Sequence, residues 1–125
     1  MKKFIAVFLS MILVLSFAGC KDDSEAAKDV AKTAVSQYYD FIMSSLEKFS
    51  HFPLATHKKP TINKVEKESD GRYVVTGVIE GIIIENVNRR SWTADWIVTV
   101  EKDSDGEFKV ANQPKPNYGV IKYLD

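Results

Sequence analysis

Three patterns of apolar and polar residues divide the chain. The stretch Phe4–Ala18 is apolar apart from two serines. From about residue 24 to residue 49, apolar residues recur at alternating steps of three and four, which is the repeat of an amphipathic helix. From Thr61 onward, short apolar stretches are separated by turn residues, which predicts β-strands. The chain is therefore predicted to contain a hydrophobic leader, one long helix and a sheet.

The helix is predicted from about Ser24 to Phe49, because neither Gly nor Pro occurs between Asp22 and Phe52. Acidic residues at its start suit the positive end of the helix dipole, and Asp22, Asp23 and Ser24 are N-cap candidates. We interpret the aromatic residues of this stretch as core rather than as the wall of a ligand site. The predicted buried stripe consists of Ala27, Ala31, Ala34, Tyr38, Phe41 or Ile42, and Leu46, widened by Val30, Val35 and Phe49.

Turn signals separate the predicted strands. Asp70-Gly71 and Asp105-Gly106 are typical of hairpin turns, and the polar stretch Asn86–Arg90 joins two long strands. Beyond two prolines, Tyr118–Leu124 is a last short strand or a cover over the sheet. The chain is thus predicted to be an α+β protein, with one long N-terminal helix packed on a curved antiparallel sheet of four to five strands. The four main strands run from about Thr61 to Glu68, Arg72 to Glu85, Ser91 to Glu101, and around Phe108 to Val110.

The two long strands differ in how their apolar residues are distributed. In strand 91–101, every second residue from Trp92 to Val100 is apolar, and this face is predicted to meet the helix. Strand 72–85 is apolar on both faces, and a single helix cannot cover both of them. Its second face is either a dimer or partner surface, or a surface that the C-terminal segment covers. Gly77 and Gly81 share one face, where the sheet is predicted to bend or another backbone to come near.

Two prolines make residues 50–60 an irregular connection between the helix and the sheet. Both histidines, His51 and His57, lie here, but no further His and no clustered carboxylates accompany them, so no metal site is predicted. With Lys58 and Lys59, the connection is a candidate contact surface. The alternative is a solvated loop that only ties the helix to the sheet.

The leader has the parts of an export signal. Lys2 and Lys3 provide a positive start, an apolar run follows, and the small residues Ala18 and Gly19 precede the hydrophilic stretch Lys21–Glu25. The apolar run is shorter than the roughly 20 residues of a membrane-spanning helix. These features predict a cleaved segment rather than a permanent transmembrane helix.

At its end, Phe17-Ala18-Gly19-Cys20 resembles the lipobox of bacterial lipoproteins, although Phe17 stands where the family usually has Leu. The resemblance covers only the first 20 residues. It implies cleavage between Gly19 and Cys20, with a diacylglyceryl group and a fatty acyl chain such as palmitate on Cys20, and no other cofactor. In a cell with two membranes, Lys21 at the second position implies the periplasmic side of the outer membrane. The alternatives are an ordinary signal peptide with a chance cysteine, or an uncleaved anchor.

The leader divides the chain into three segments: a lipoprotein signal peptide over residues 1–19, a lipidated tether over residues 20–26 and a single α+β domain over residues 27–125. The roughly 105 residues after the leader suffice for one modest core. Without Lys2 and Lys3, the 17 basic residues become 15 against 17 acidic residues, and this net charge of −2 argues against a nucleic-acid partner. The single cysteine of the chain excludes an intrachain disulfide.

One long helix followed by a curved antiparallel meander resembles the cystatin-like and NTF2-like folds, over about residues 24–112. The resemblance rests on the order of the elements. Within it, Tyr73–Gly77 matches the Gln-x-Val-x-Gly motif of cystatin protease inhibitors only at Val75 and Gly77, and we interpret this match as chance.

Signatures of common catalytic sites are missing from the sequence. It has no second cysteine, no Gly-x-Ser-x-Gly stretch and no phosphate-binding loop. Some NTF2-like domains are enzymes with a site between helix and sheet, so that resemblance implies an acid–base pair as an alternative. Its candidate residues are Asp95 or Glu80, with Tyr38 or His51.

Two functions are consistent with these features. The favoured one is a lipid-anchored, non-catalytic envelope protein that binds a protein partner, as an assembly factor, an inhibitor, or an immunity or exclusion factor. The alternative is a small-ligand carrier or an enzyme, with a pocket between the helix and the Trp face of the sheet. A pocket of a few hundred Å³ there favours the alternative, and a filled interior favours the binding protein. The predicted contact residues are Asn88, Arg89, Arg90, His57, Lys58 and Lys59, together with the second face of the sheet.

Overall fold

The computed structural model describes residues 22–124, so the leader, the predicted cleavage site at Gly19 and the lipid-attachment residue Cys20 lie outside the described residues. Helix α1 spans Asp23–Phe49, as the apolar repeat predicted. Asp22 is its N-cap, and the Asp22 carboxylate accepts a hydrogen bond from the backbone N–H of Glu25. The helix begins one residue before the predicted start at Ser24.

Within residues 22–124, seven strand segments follow the helix, all of them antiparallel to their partners. The two long central strands, β3 and β4, pair along the whole of β3. Together with α1 they define an α+β fold in which one long helix packs on a strongly curled, half-barrel sheet, and this confirms the predicted fold class. The strands are β1 (Leu54–His57), β2 (Thr61–Lys67), β3 (Tyr73–Glu85), β4 (Asn88–Lys102), β5 (Phe108–Val110), β6 (Asn117–Tyr118) and β7 (Lys122–Tyr123).

The shorter strands continue the sheet on both sides of this central pair. β1 and β2 pair one after the other with the same edge of β3. On the other side, β5, β6 and β7 pair with successive parts of β4. The C-terminal segment thus extends the edge of the sheet instead of folding over its second face.

Two connections differ from the sequence prediction. The stretch between the two prolines contains β1, because Pro53 and Pro60 flank the four residues that pair with β3 and do not interrupt them. The β3–β4 connection is a two-residue turn, Asn86-Val87, in which Asn86 has a φ of 57°. Asn tolerates this left-handed conformation, so β4 begins at Asn88 and not at Ser91.

The core forms where α1 crosses the inner face of the sheet. The buried helical residues follow each other at steps of four, so the buried stripe winds around the helix by about 40° per step and follows the curl of the sheet. For this reason Tyr38, Phe41 and Phe49, which the sequence placed in the stripe, are exposed. The buried residues of α1 are Ala27, Ala31, Val35, Tyr39 and Met43.

On the sheet, the predicted Trp face of β4 is confirmed as core, because alternate residues from Trp92 to Val100 are buried. The two glycines of β3 lie opposite the indole rings. A Cβ atom on Gly77 would come within 2.5 Å of Trp96 Cζ2, and one on Gly81 within 2.8 Å of Trp92 Cζ2. The glycines therefore make room for the tryptophan rings and for the carbonyl groups of the neighbouring edge strands.

Candidate functional site

The space between α1 and the Trp face is filled by side chains. Tyr39 stacks on Trp92 with 5.7 Å between the ring centroids. Both residues are buried, as are Val35 from the helix and Ile79 and Ile83 from β3. The place where a small-ligand pocket was considered is thus occupied by the core itself.

The C-terminal segment closes one side of this core. The Tyr39 hydroxyl donates a hydrogen bond of 2.6 Å to the carbonyl oxygen of Gly119. Tyr38 stacks on Tyr118 with 4.3 Å between centroids. Burial raises the pKa of Tyr39 to about 12, and the neighbouring ionisable groups Tyr38, Asp95 and Tyr118 act in the same direction. This hydroxyl is held as a neutral donor, which suits a structural role.

The two tryptophan nitrogens have different surroundings. Trp92 Nε1 donates a hydrogen bond of 3.1 Å to the carbonyl oxygen of Thr56 in β1. Trp96 Nε1 is buried and has no hydrogen-bond partner within the described part of the chain.

The candidate acid–base residues do not meet in the interior. Glu80 and Asp95 lie on the outer face of the sheet, because their partners across the β3–β4 pair, Thr93 and Val78, belong to that face. The carboxylate of Glu80 pairs instead with the Lys58 amine at 3.3 Å. Neither candidate carboxylate therefore lies between the helix and the Trp face.

The predicted contact residues Asn88, Arg89 and Arg90 lie on the first residues of β4, not on a loop. Asn88 and Arg89 are exposed at the tip of the β3–β4 hairpin. The Arg90 guanidinium lies 3.7 Å from the centroid of the Tyr123 ring, so it holds β7 against the hairpin. These three residues therefore lie together at one end of the sheet.

The other three predicted contact residues lie apart from the hairpin tip. His57 is largely enclosed: its Nε2 lies 2.6 Å from Asp40 Oδ1 on α1, and its Nδ1 lies 2.8 Å from the carbonyl oxygen of Lys58. Its role is to connect helix and sheet. Lys58 and Lys59 are exposed on the link between β1 and β2. The six residues therefore do not form one continuous surface.

The outer face of the sheet remains half-exposed. Apart from the exposed Glu80, alternate residues of β3 on this face are apolar or Thr and only partly buried. Leu54 on β1 and Ile97 on β4 are each 39% exposed. The helix packs on the opposite face, and the C-terminal segment pairs at the edge. The interpretation in which the C-terminal segment covers this face is therefore wrong, because that segment pairs with the edge strand β4.

The sequence did not predict a groove of about 540 Å³ between the first half of α1 and strand β2. We call it the β2 groove. It arises because β2 is an edge strand that curls toward the helix, and no local pattern indicates this curl. The residues that define it are Lys28, Ile62, Lys64, Val65, Lys67 and Tyr73.

Comparison with known proteins found no matching protein-family model, no matching curated protein and no matching solved structure. Over residues 22–124, no helix is both long enough and apolar enough to cross a bilayer, because α1 carries charged residues along its length.

Proposed function

We propose that this protein is a lipid-anchored lipoprotein of the bacterial cell envelope that binds a protein partner without catalysing a reaction. One observation carries the proposal: the single cysteine, Cys20, lies between a complete apolar export segment and the hydrophilic stretch Lys21–Glu25. A diacylglyceryl thioether with an added acyl chain on Cys20 anchors the protein, because two or three chains bind a bilayer far more tightly than one.

The start of α1 sets the position of the folded domain in this proposal. Cys20 precedes the first helical residue, Asp23, by three positions, which span at most about 11 Å of extended chain. The helix N-terminus then lies close to the bilayer surface. The opposite end of the molecule, with the β3–β4 hairpin tip, is free to reach a partner.

Two features support a binding role over a small-ligand carrier or an enzyme. The core between α1 and the Trp face is filled, with Tyr39 packed on Trp92. The candidate carboxylates Glu80 and Asp95 lie outside it. Exposed loops and edges on a rigid scaffold are typical of interaction domains.

Metabolic labelling with an alkyne analogue of palmitate tests the anchor. The wild-type protein is expected to take up the label and to remain with the membrane fraction, and Cys20→Ala is expected to lose both. Ser16→Ala, which changes the leader but keeps the cysteine, is the control and should behave as wild type. Unmodified Cys20 on a protein released from the membrane contradicts the proposal.

A further inference from the structure

Strand β2 has one unpaired edge. It pairs with β3 on one side, and on the other side it has no strand partner among residues 22–124. All of its residues except Ile62 and Val65 are exposed. An unpaired antiparallel edge presents backbone N–H and C=O groups to which another strand can bond. This edge is therefore a candidate interface.

The hydrogen bonds to β3 show which backbone groups of β2 point outward. The backbone N–H of Glu68 donates to the carbonyl oxygen of Arg72 at 2.7 Å, so Glu68 points toward β3. In an antiparallel pair this direction alternates along the strand, and the register is regular over residues 64–67. The backbone groups of Val65 and Lys67 therefore point away from β3.

This direction limits how two copies of β2 can pair with each other. Outward-pointing residues must lie opposite outward-pointing residues, so within residues 64–66 the two-fold axis passes through Lys64, Val65 or Glu66. An axis through Lys64 or Glu66 places two identical charges opposite each other, which destabilises a strand pair. An axis through Val65 places each Lys64 opposite Glu66 of the other copy. Among these registers, only the one centred on Val65 joins opposite charges.

The two charged residues lie on the outer face of the sheet, opposite the outer-face residues of β3. Within one strand, Lys64 Nζ is 3.2 Å from Glu66 Oε2. In the register centred on Val65 they form pairs without backbone hydrogen bonds, in which the Cα atoms are about 4.5 Å apart. Each amine then has one carboxylate beside it and one across from it. Lys67 comes opposite Asn63 of the other copy and meets no like charge there.

We propose that this protein forms a symmetric dimer, in which two β2 strands pair antiparallel about Val65 and join the two sheets into one. The outward N–H and C=O groups of the two Val65 residues bond to each other, and their side chains meet on the inner face at the β2 groove. A wholly acidic or wholly basic strand would neutralise only one of the two charges on the outer face. The segment Lys64-Val65-Glu66 is instead its own complement when it runs antiparallel to itself.

The position of the helices is compatible with a lipid anchor on both copies. A two-fold axis through Val65 runs across the joined sheet, so both helices lie on the same side of it. Ser24 and Lys28, in the first turns of α1, line the β2 groove together with Val65. Both tethers then begin near the axis, and one bilayer can hold them. This compatibility rests on the proposed function, whereas the pairing of the β2 strands does not.

Reversing one charge at a time tests the register. Lys64→Glu leaves only acidic side chains at these two positions and Glu66→Lys leaves only basic ones, so each variant repels its own copy. We expect each to self-associate about tenfold more weakly than the wild type, in sedimentation equilibrium of the full-length protein in density-matched detergent. An equimolar mixture of the two variants should associate as tightly as the wild type, because every lysine again faces a glutamate.

Lys109→Glu makes the same kind of charge change on an exposed residue of β5 and is the control, with no expected effect on association. Self-association that the two β2 variants leave unchanged, or that the control weakens as much, would place the interface on another surface and overturn the proposal. A mixture that associates no more tightly than its components also overturns it. So does a wild-type protein that stays monomeric up to about 1 mM, the order of effective concentration between molecules tethered close together.

Val65→Pro tests the main-chain bonds separately. Proline removes the outward N–H but no donor to β3, and edge strands accept it at such positions. We expect this variant to be monomeric while it keeps the circular dichroism of the wild type. Val65→Ala keeps the N–H and should associate more tightly than Val65→Pro, and equal association of the two contradicts the pairing. These measurements do not depend on lipid at Cys20, so their failure is distinguishable from failure of the palmitate labelling.

Discussion

Trp92 and Trp96 lie on the same face of β4 and are both almost fully buried, but within residues 22–124 only Trp92 has a hydrogen-bond partner for its indole nitrogen. Trp92 Nε1 reaches the carbonyl oxygen of Thr56 and so connects β4 with β1 across β3. A buried donor without a partner costs free energy that burial of the ring has to offset. The two residues therefore contribute to stability in different ways.

Replacing each tryptophan by phenylalanine separates these contributions. Trp92→Phe loses a hydrogen bond and ring area, whereas Trp96→Phe loses ring area and removes an unpaired donor. We expect Trp92→Phe to lower the free energy of unfolding by about 1 kcal/mol more than Trp96→Phe. Urea unfolding followed by circular dichroism measures the difference. An equal or larger loss in Trp96→Phe contradicts the expectation.

Tyr39 predicts a dependence of stability on alkaline pH. Burial raises its pKa in the folded state from 10.0 to about 12, so the folded protein holds the phenolic proton more tightly than the unfolded chain does. The raised pKa of Tyr39 contributes on the order of 2 kcal/mol to the free energy of unfolding. This contribution is complete below pH 10 and is lost as the pH rises toward 12. The pKa of Tyr118 is also raised by burial, which adds a loss in the same direction.

Tyr39→Phe is expected to reduce the decline in stability between pH 10 and pH 12, since the titrating hydroxyl is gone. At neutral pH it should cost about 1 kcal/mol for the lost hydrogen bond to Gly119. Urea unfolding at a series of pH values measures both effects. Tyr123→Phe, on a more exposed ring, is the control. A decline in Tyr39→Phe as steep as in the wild type would refute the assignment.

At the scale of elements, β3 determines how the sheet curls. Gly77 and Gly81 place no side chain on its inner face, so the rings of Trp96 and Trp92 lie directly against the strand. At the same positions the carbonyl groups of Thr61 and Thr56 approach closely from the edge strands. The strand can bend around the helix because these two positions are empty.

Gly81→Ala tests this account of the curl. Its Cβ atom would collide with the Trp92 ring at 2.8 Å and with backbone atoms of β1, which cannot move without shifting the strand. We expect a loss of about 3 kcal/mol in the free energy of unfolding, as for overpacked cores. Thr76→Ala, on the outer face of the same strand, should lose less than about 1 kcal/mol. A tolerated Gly81→Ala would mean that the sheet has room there.

At the scale of the whole molecule, the C-terminal segment completes the structure. β6 and β7 pair with β4 beside Trp96 and Trp92, and Gly119 accepts the hydrogen bond from Tyr39, which lies 80 positions earlier in the chain. Helix, sheet and C-terminal segment are thus joined around the same aromatic residues. Stability should depend on the last strands although they are short.

Deletion of residues 117–125 checks this dependence. It removes β6 and β7, exposes one side of Trp96 and Trp92, and leaves the Tyr39 hydroxyl without its acceptor. We expect a loss of more than about 3 kcal/mol and increased binding of a hydrophobic dye. Deletion of residues 124–125 removes the hydrogen bond that the backbone N–H of Leu124 donates to the carbonyl oxygen of Ser91, and should cost no more than about 1 kcal/mol. A loss of no more than about 1 kcal/mol in the longer deletion would show that the last strands are dispensable.

Local pattern predicted the elements well where one physical signal dominated. The apolar repeat located α1, whose N-cap is Asp22, one of the three candidates. The two Asp-Gly turns located the hairpins, with Gly71 and Gly106 both at positive φ. The alternation in β4 identified the buried Trp face. The two-residue turn at Asn86 and strand β1 were missed, because polar residues and prolines at an edge resemble a loop.

The candidate sites were predicted less well. His57 faces Asp40 on the helix, and Glu80 and Asp95 face outward, although nothing in their neighbours along the chain distinguishes these orientations. The β2 groove was missed, since its lysines come from the helix and from an edge strand that are distant in sequence. Contacts of this kind depend on the register between strands.

The sequence by itself determined the long helix, the order of the main strands and which face of β4 is buried, whereas the export leader and its cysteine stay predictions. Each of these follows from the spacing of apolar and turn residues within one segment. The tertiary structure decided which stripe of α1 is buried, that the interior is filled, and that the C-terminal segment closes the edge of the sheet. These outcomes depend on how the sheet curls around the helix, which brings together residues that no local repeat connects.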